Sequence, residues 1–455
     1  MTQTPPRRPD RQARTLDRLE TSSFVWLSSA KGRSLPLSEW PAKQSARHTK
    51  QTPTPTLIDQ FKTIADTALP VVALYSAFLA FGQTRFHASA RLLGCLFLLV
   101  FIISPLPLRF DETTLAGHIY SSLLWGLFAP ASTLLAPLFY FYVLALTREP
   151  DRPPGWPSGR HFILPALAAV SGIAMALLSV ETRNGLFSAV ETGTPLPAAL
   201  SVLVGIWRLL GPATFLLWLV YVVLMYRRLT AYRKRLCDLY ASTERLELRW
   251  INWLMGMVAI YALFNLIDSA VFDPLGWNVV PVVVDRLWSL LIVMVLGFWG
   301  LRQRPGLLPP DAAPAEAVEN GKYEKSALSP EMQRRIADKL VAAMADERLY
   351  RDASLSLWSL SQHIGVAPNY ISQTLSETLG QSFYAFVNGF RIRDAKRLLS
   401  SETRSVLEIA YDVGFNSKSA FYASFRRETG KTPAAFRKAR EADDKVPDDP
   451  KGIPG

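Results

Sequence analysis

Apolar residues fall along this chain in two unlike textures. Between residues 64 and 300 they form runs near 20 long with no polar face, such as "LLGCLFLLVFIISPLPL" (92–108) and "LWSLLIVMVLGFWGL" (287–301). A helix of about 20 apolar residues crosses a hydrocarbon core of about 30 Å, whereas a helix of a soluble core keeps a polar stripe. Seven such runs are expected as spans, at 64–82, 90–108, 121–145, 161–180, 203–226, 251–272 and 279–300. From 329 onward apolar residues recur at every third or fourth position, as with Ile336, Leu340, Val341 and Met344 in "SPEMQRRIADKLVAAM". That period predicts amphipathic helices on a soluble core. The fold class is all-α: a polytopic helical membrane domain of about seven spans, then a soluble domain with two helix-turn-helix units joined by a linking helix.

Composition separates the flanks. Residues 1–60 are rich in Pro, Arg, Ser and Thr and read as a disordered basic tail, while 302–328, rich in Pro, Ala and Gly, reads as a flexible linker. The expected domains are therefore the tail at 1–60, a membrane domain at 61–301, the linker at 302–328, a soluble helical domain at 329–440 and an acidic tail at 441–455. The formal net charge of +12 serves nucleic acid, anionic lipid or span orientation, and position decides which. Arg85 and Arg91, then Arg148, Arg152 and Arg160, then Arg227, Arg228, Arg233, Lys234, Arg235, Arg245 and Arg249, then Arg302 and Arg304, lie in alternate loops. The other three loops offer Arg109 and Arg183. Positive loops face the cytoplasm, so the C-terminus is expected inside and the N-terminus outside, against the pull of the basic tail. No cleavable signal peptide is visible at the start. Cys95 and Cys237 lie in different surroundings and are expected reduced.

The last domain carries the chemistry. "SLWSLSQHIGVAPNYISQTLSETLG" (356–380) reads as a short helix, a turn at Gly365 and a helix opened by Pro368. "SVLEIAYDVGFNSKSAFYASFRRETG" (405–430) repeats the plan with Ser405 as cap and a turn at Gly414. Between them "SFYAFVNGFRIRDAKRLLSS" (382–401) predicts a linking helix of about 18 residues, about 27 Å long, which suits recognition helices in successive major grooves about 34 Å apart.

Residues 329–440 closely resemble the C-terminal DNA-binding domain of AraC/XylS-type bacterial transcription regulators. Ile409, Ala410, Gly414, Phe415, Phe421, Phe425, Gly430 and Pro433 carry the most specific part of the likeness. The apolar half resembles, through topology more than motifs, a seven-span sensor module fused to such domains. In the second recognition helix Phe421 and Phe425 share the core stripe, which leaves Lys418, Ser419 and Tyr422 as base-reading candidates. In the first unit the resemblance places Asn369, Ser372 and Gln373 at base-facing positions, and Asn and Gln suit adenine N6 and N7. Ala423 stands where the family often carries a longer base-reading side chain, and Ala367 where a Ser cap is common. Arg391, Arg426, Arg427 and Lys431 are phosphate candidates, with a brace inside the fold as the other role for Arg391.

Ionisable groups inside spans mark functional positions. Asp66, His118, Arg208, Asp268, Asp285 and Arg286 fall toward the outer ends of their spans, so a periplasm-facing signal pocket is expected from Arg208, Asp268, Asp285 and His118, with Arg208 pairing Asp268 or Asp285. The basic stretch "YRRLTAYRKRLCDLY" (226–240) reads first as a topology anchor on anionic lipid and second as a hold on the DNA domain.

No catalytic set, phosphate-cradling loop, cofactor motif or metal spacing is found; the five His are scattered. The expected function is a one-component transcription regulator in the bacterial inner membrane, not an enzyme, with its DNA reader in the cytoplasm. Its expected partners are operator DNA, the lipid bilayer and an unidentified small-molecule signal, with RNA polymerase if it activates and a second copy if it dimerises. The competing reading is a membrane transporter or membrane enzyme with an attached self-regulatory DNA-binding domain.

Overall fold

The computed structural model describes residues 57–83, 87–104, 114–148, 158–244, 246–272, 282–303, 307 and 328–443. The tail at 1–56, most of the 302–328 linker and the end from 444 lie outside the described residues. Among those described, the protein is all-helical, with one isolated antiparallel bridge between Tyr240 and Ser356. The chain divides into two compact units: Met1–Val143, Trp156–Leu224 and Trp253–Gln303 form one, and Leu144–Gly155, Met225–Asn252 and Arg304–Gly455 the other. Residues 225–252, expected inside the membrane domain, thus cluster with the C-terminal residues.

The first unit holds α1 (Leu57–Phe81), α2 (His87–Ile103), α3 (Leu115–Leu146), α4 (Ile163–Leu177), α5 (Val180–Thr192), most of α6 (Ala198–Leu239), α7 (Arg249–Ile267) and α8 (Val282–Gly300). Six of the helices are long and apolar enough to cross a membrane, and the 17-residue α2 is a shorter apolar helix. Their outward faces are apolar: Phe78, Leu177 and Trp253 are 74%, 82% and 79% exposed. α3 and α4 meet backbone to backbone, since a Cβ on Gly172 would stand 2.7 Å from the Gly126 carbonyl oxygen. Small residues permit such close approach where apolar surroundings supply no hydrophobic drive.

Two elements differ from the apolar pattern. α5 lies where a loop was expected; Ser179 caps its start by accepting from the Thr182 N–H, and Gly193 at φ +70° ends it. α6 continues past the expected limit at 226 to Leu239, because the basic stretch is built of Arg, Lys, Leu and Tyr, with no Gly or Pro to stop it.

In the C-terminal unit, Ser329 caps α9 (Pro330–Ala345), and Ser356 and Ser359 form a capping box for α10 (Leu357–Ile364), which Gly365 ends at φ +65°. α11 (Pro368–Glu377) follows, then α12 (Phe383–Ser401), capped by Ser382. Ser405 and Glu408 form a reciprocal capping box on α13 (Val406–Asp412), Ser417 caps α14 (Lys418–Thr429), and α15 (Pro433–Asp443) closes the unit. There are two small cores. Leu340, Leu360, Ile371 and Leu375 gather around Phe383, Phe386 and Val387, while Ile409, Phe415, Phe421 and Phe425 gather around Ile392, Ala395, Leu398 and Leu399. α12 therefore belongs to both cores, and its 19 residues, about 28 Å at about 1.5 Å each, tie the two helix-turn-helix units together.

Candidate DNA-binding interface

The second unit presents its polar residues at the start and outer side of α14. The Ser417 hydroxyl accepts from the Ala420 N–H at 3.2 Å, which fixes the first turn and holds Lys418 and Ser419 in solvent. The Lys418 ammonium lies 5.4 Å from the centre of the half-buried Tyr422 ring. Phe421 and Phe425 are fully buried on the opposite side. Arg426, Arg427 and Lys431 are exposed, and among the described residues none of the three makes a salt bridge. The Arg427 guanidinium sits 5.5 Å from the Tyr384 ring centre, beside the hydrogen bond between the hydroxyls of Tyr384 and Ser424.

The first unit is arranged differently. Ala367 offers no side-chain cap to α11, so Pro368 alone shapes that start. Asn369 is exposed, and Ser372 and Gln373 are half-buried. The Gln373 amide donates to Glu377 at 3.0 Å, and Glu377 also accepts from Gln333 at 2.8 Å. In this conformation one of the two Gln373 amide N–H donors is engaged by Glu377, and a bidentate contact with adenine needs one donor and the amide oxygen.

Arg391 is not at the surface. Its side chain is fully buried: Nε donates to the Tyr350 carbonyl at 2.7 Å, Nη2 to the Asp352 carbonyl at 2.8 Å, and Nη1 to the Ser242 hydroxyl at 3.1 Å. Burial lowers its pKa to about 10. With its donors turned inward it braces the fold instead of meeting a phosphate, and it does so through the Tyr350 and Asp352 carbonyls and the Ser242 hydroxyl, not through Asp394. Asp394 accepts from Tyr350 and Arg351, each at 2.9 Å, and from Arg397 at 2.7 Å. Burial pushes its carboxyl up, but these donors outweigh burial and hold it below the usual carboxylate range. Of this network only the pair of Arg397 with Asp394, three residues apart, is visible in spacing; Tyr350 and Arg351 lie 44 and 43 positions from Asp394.

In the first unit of the chain, the expected pairing of Arg208 with Asp268 or Asp285 is not formed among the described residues; Arg208 and His118 are exposed. The cation that joins acids there is Arg286, 3.0 Å from Asp66 and 3.5 Å from Asp285. Asp285 also accepts from the Tyr261 hydroxyl at 2.6 Å, so α1, α7 and α8 share one polar cluster. Arg286 is adjacent to Asp285 in sequence, and its partner on α1 could not be read from spacing. Among the described residues no group of His, Cys, Asp and Glu could hold a metal ion.

A helix-turn-helix family model matches residues 360–439. An uncharacterized HTH-type transcriptional regulator of Staphylococcus aureus (strain COL) is 34% identical over 94 residues, which is 21% of this chain and 13% of that protein. The melibiose operon regulatory protein of Escherichia coli (strain K12) is 29% identical over 87 residues, 19% of this chain and 29% of that protein. The chain thus covers under a third of these relatives' lengths. Among solved structures, the C-terminal domain of AraT, a response regulator from Geobacillus stearothermophilus, is 29% identical, covering 25% of this chain and 89% of that one with a TM-score of 0.22. The C-terminal part of this chain carries a helix-turn-helix domain of the AraC type, which supports DNA-binding regulation.

Proposed function

We propose that the chain is a membrane-bound one-component transcription regulator, in which the apolar helices respond to a signal and α9 to α15 read an operator in the cytoplasm. The observation that carries the reading is the joining of two helix-turn-helix units through α12 in a chain whose other unit offers six helices apolar enough to span a membrane. Lys418, Ser419, Tyr422, Asn369, Ser372 and Gln373 are proposed to meet base edges, and Arg426, Arg427 and Lys431 the phosphates. The polar cluster of Asp66, Asp285, Arg286 and Tyr261 is the proposed signal-responsive part, together with Arg208, Asp268 and His118. The outward apolar faces favour a bilayer, since in water so much exposed apolar surface drives association.

Genome-wide DNA crosslinking of the full-length chain tests the reading. Enrichment of one sequence family is expected, together with recovery of the protein in the membrane fraction; no enriched sequence overturns it. At an enriched site, Arg426→Ala is expected to lower the salt slope of binding by about one unit with sequence preference kept, measured by titrating salt in a binding assay.

A further inference from the structure

The loop at 240–248, between α6 and α7, is stitched to the first helix-turn-helix unit. The Ala241 N–H donates to the Leu355 carbonyl at 3.1 Å beside the bridge of Tyr240 with Ser356, the residue that caps α10. The Tyr240 ring meets Trp358 edge-on, with centroids 5.6 Å apart. The Ala241 carbonyl accepts from Asn388 at 3.2 Å and from Arg391 at 3.4 Å, both on α12. Ala241 is buried within the first of the two cores. These contacts lie within one compact unit.

The loop is stiffened from its own side. Tyr232 donates to the Leu246 carbonyl at 3.0 Å and Arg233 to that of Glu247 at 3.1 Å, both from α6. Thr243 and Arg249 donate to the Glu247 carboxylate at 2.5 and 2.7 Å. Arg228 is held by Thr147. Arg228 and Arg233 of the basic stretch, and Arg249 at the start of α7, are thus spent on protein partners. The buried donors of Asn388 and Arg391 would lose an acceptor if the loop left, and an unsatisfied buried donor is costly.

We propose that Tyr240, Ala241 and Ser242 are a docking site for the DNA-reading domain, through which the C-terminal end of α6 orients the reader. α6 is one helix from Ala198 to Leu239, and after Pro212 it reaches the dock without a further Pro or Gly, so that it carries displacement along its axis. The dock grips α12, which both units share, so a shift at Asn388 and Arg391 moves both recognition helices. Docking stands on the geometry alone; its effect on DNA rests on the proposed function.

The test uses the full-length chain in native membranes, with Cys95→Ser and Cys237→Ser. Tyr240→Cys with Ser356→Cys places a thiol pair on the bridge, within disulfide reach. After oxidation and cleavage at a protease site inserted between 308 and 327, most of the reader is expected to stay joined to the membrane fragment until reduced. Under a tenth joined overturns the dock. Ala241→Arg, a wedge, is expected to change occupancy of a site enriched by the wild-type chain at least five-fold, and Tyr240→Ala in the same direction by less. Occupancy within two-fold of wild type for both variants overturns the control of orientation. If no chain enriches any sequence, the DNA-reading proposal fails, and the disulfide result still decides the dock.

Discussion

The two helix-turn-helix units share a linking helix and a plan, yet they are held by opposite means. The second is secured at its helix starts: Ser405 with Glu408 and Ser417 cap its helices, and Arg404 pairs with Glu402 and Asp412, while Arg426, Arg427 and Lys431 make no salt bridge among the described residues. The first lacks a cap at Ala367 and leans on distant chain, through Tyr240, Ala241 and Ser242. A unit built on local rules folds the same way wherever it is placed. A unit that borrows contacts from elsewhere responds to what happens there.

Four substitutions sharpen that contrast. Arg391→Ala removes donors to three parts of the chain at once and is expected to cost about 3 to 4 kcal/mol, read as a lowered urea midpoint in pulse proteolysis of the purified chain. Arg391→Lys, without the planar fork, should restore less than half of the loss. The two turns should then part company. Gly414 has φ +98° and a Cβ there would meet the Tyr350 carbonyl at 2.5 Å, whereas Gly365 at φ +65° has open space. Gly414→Ala should cost at least about 2 kcal/mol and Gly365→Ala about 1 kcal/mol in the same assay; equal losses would contradict the close approach.

Acid should expose the Asp394 network. Its folded pKa is depressed, so its contribution is present above the ordinary carboxylate value and fades as pH falls through the folded value. Compared with Asp394→Asn, the wild type should hold an advantage above the ordinary carboxylate range that is lost progressively as pH falls below that range, followed by unfolding midpoints across a pH series. The smallest effects come from the caps: Ser417→Ala should destabilise by about 1 kcal/mol, and Ala367→Ser should stabilise the first unit by about 0.5 to 1 kcal/mol. A loss on Ala367→Ser would mean that the first unit resists local repair.

What was legible in the sequence follows the same division. Ser329, Ser405, Gly365, Gly414, Phe421 and Phe425 announce caps, turns and a core stripe because each acts within a helical turn or two of itself. The uniformly apolar runs announced their helices through length. α5 was missed because its mixed polar stretch has no distinctive period, and the reach of α6 because a change from apolar to basic residues alters what surrounds a helix without stopping it. The partners of Arg391, and the Asp66 partner of Arg286, were not legible because they lie on other elements, where sequence spacing carries no distance. The loop at 240–248 meets Leu355 and Arg391 more than a hundred positions later, and no local rule reaches that far.

The unbroken course of α6 gives the dock an azimuth. Each helical residue turns the chain by about 100°, so the bearing at which Tyr240 is offered to the reader depends on how many residues precede it. One residue inserted between Arg228 and Arg233 would swing that bearing by about 100° for an advance of only about 1.5 Å, while seven would restore it to within about 20° after an advance of about 10 Å. Rotation and translation of the reader can therefore be varied almost independently by counting residues.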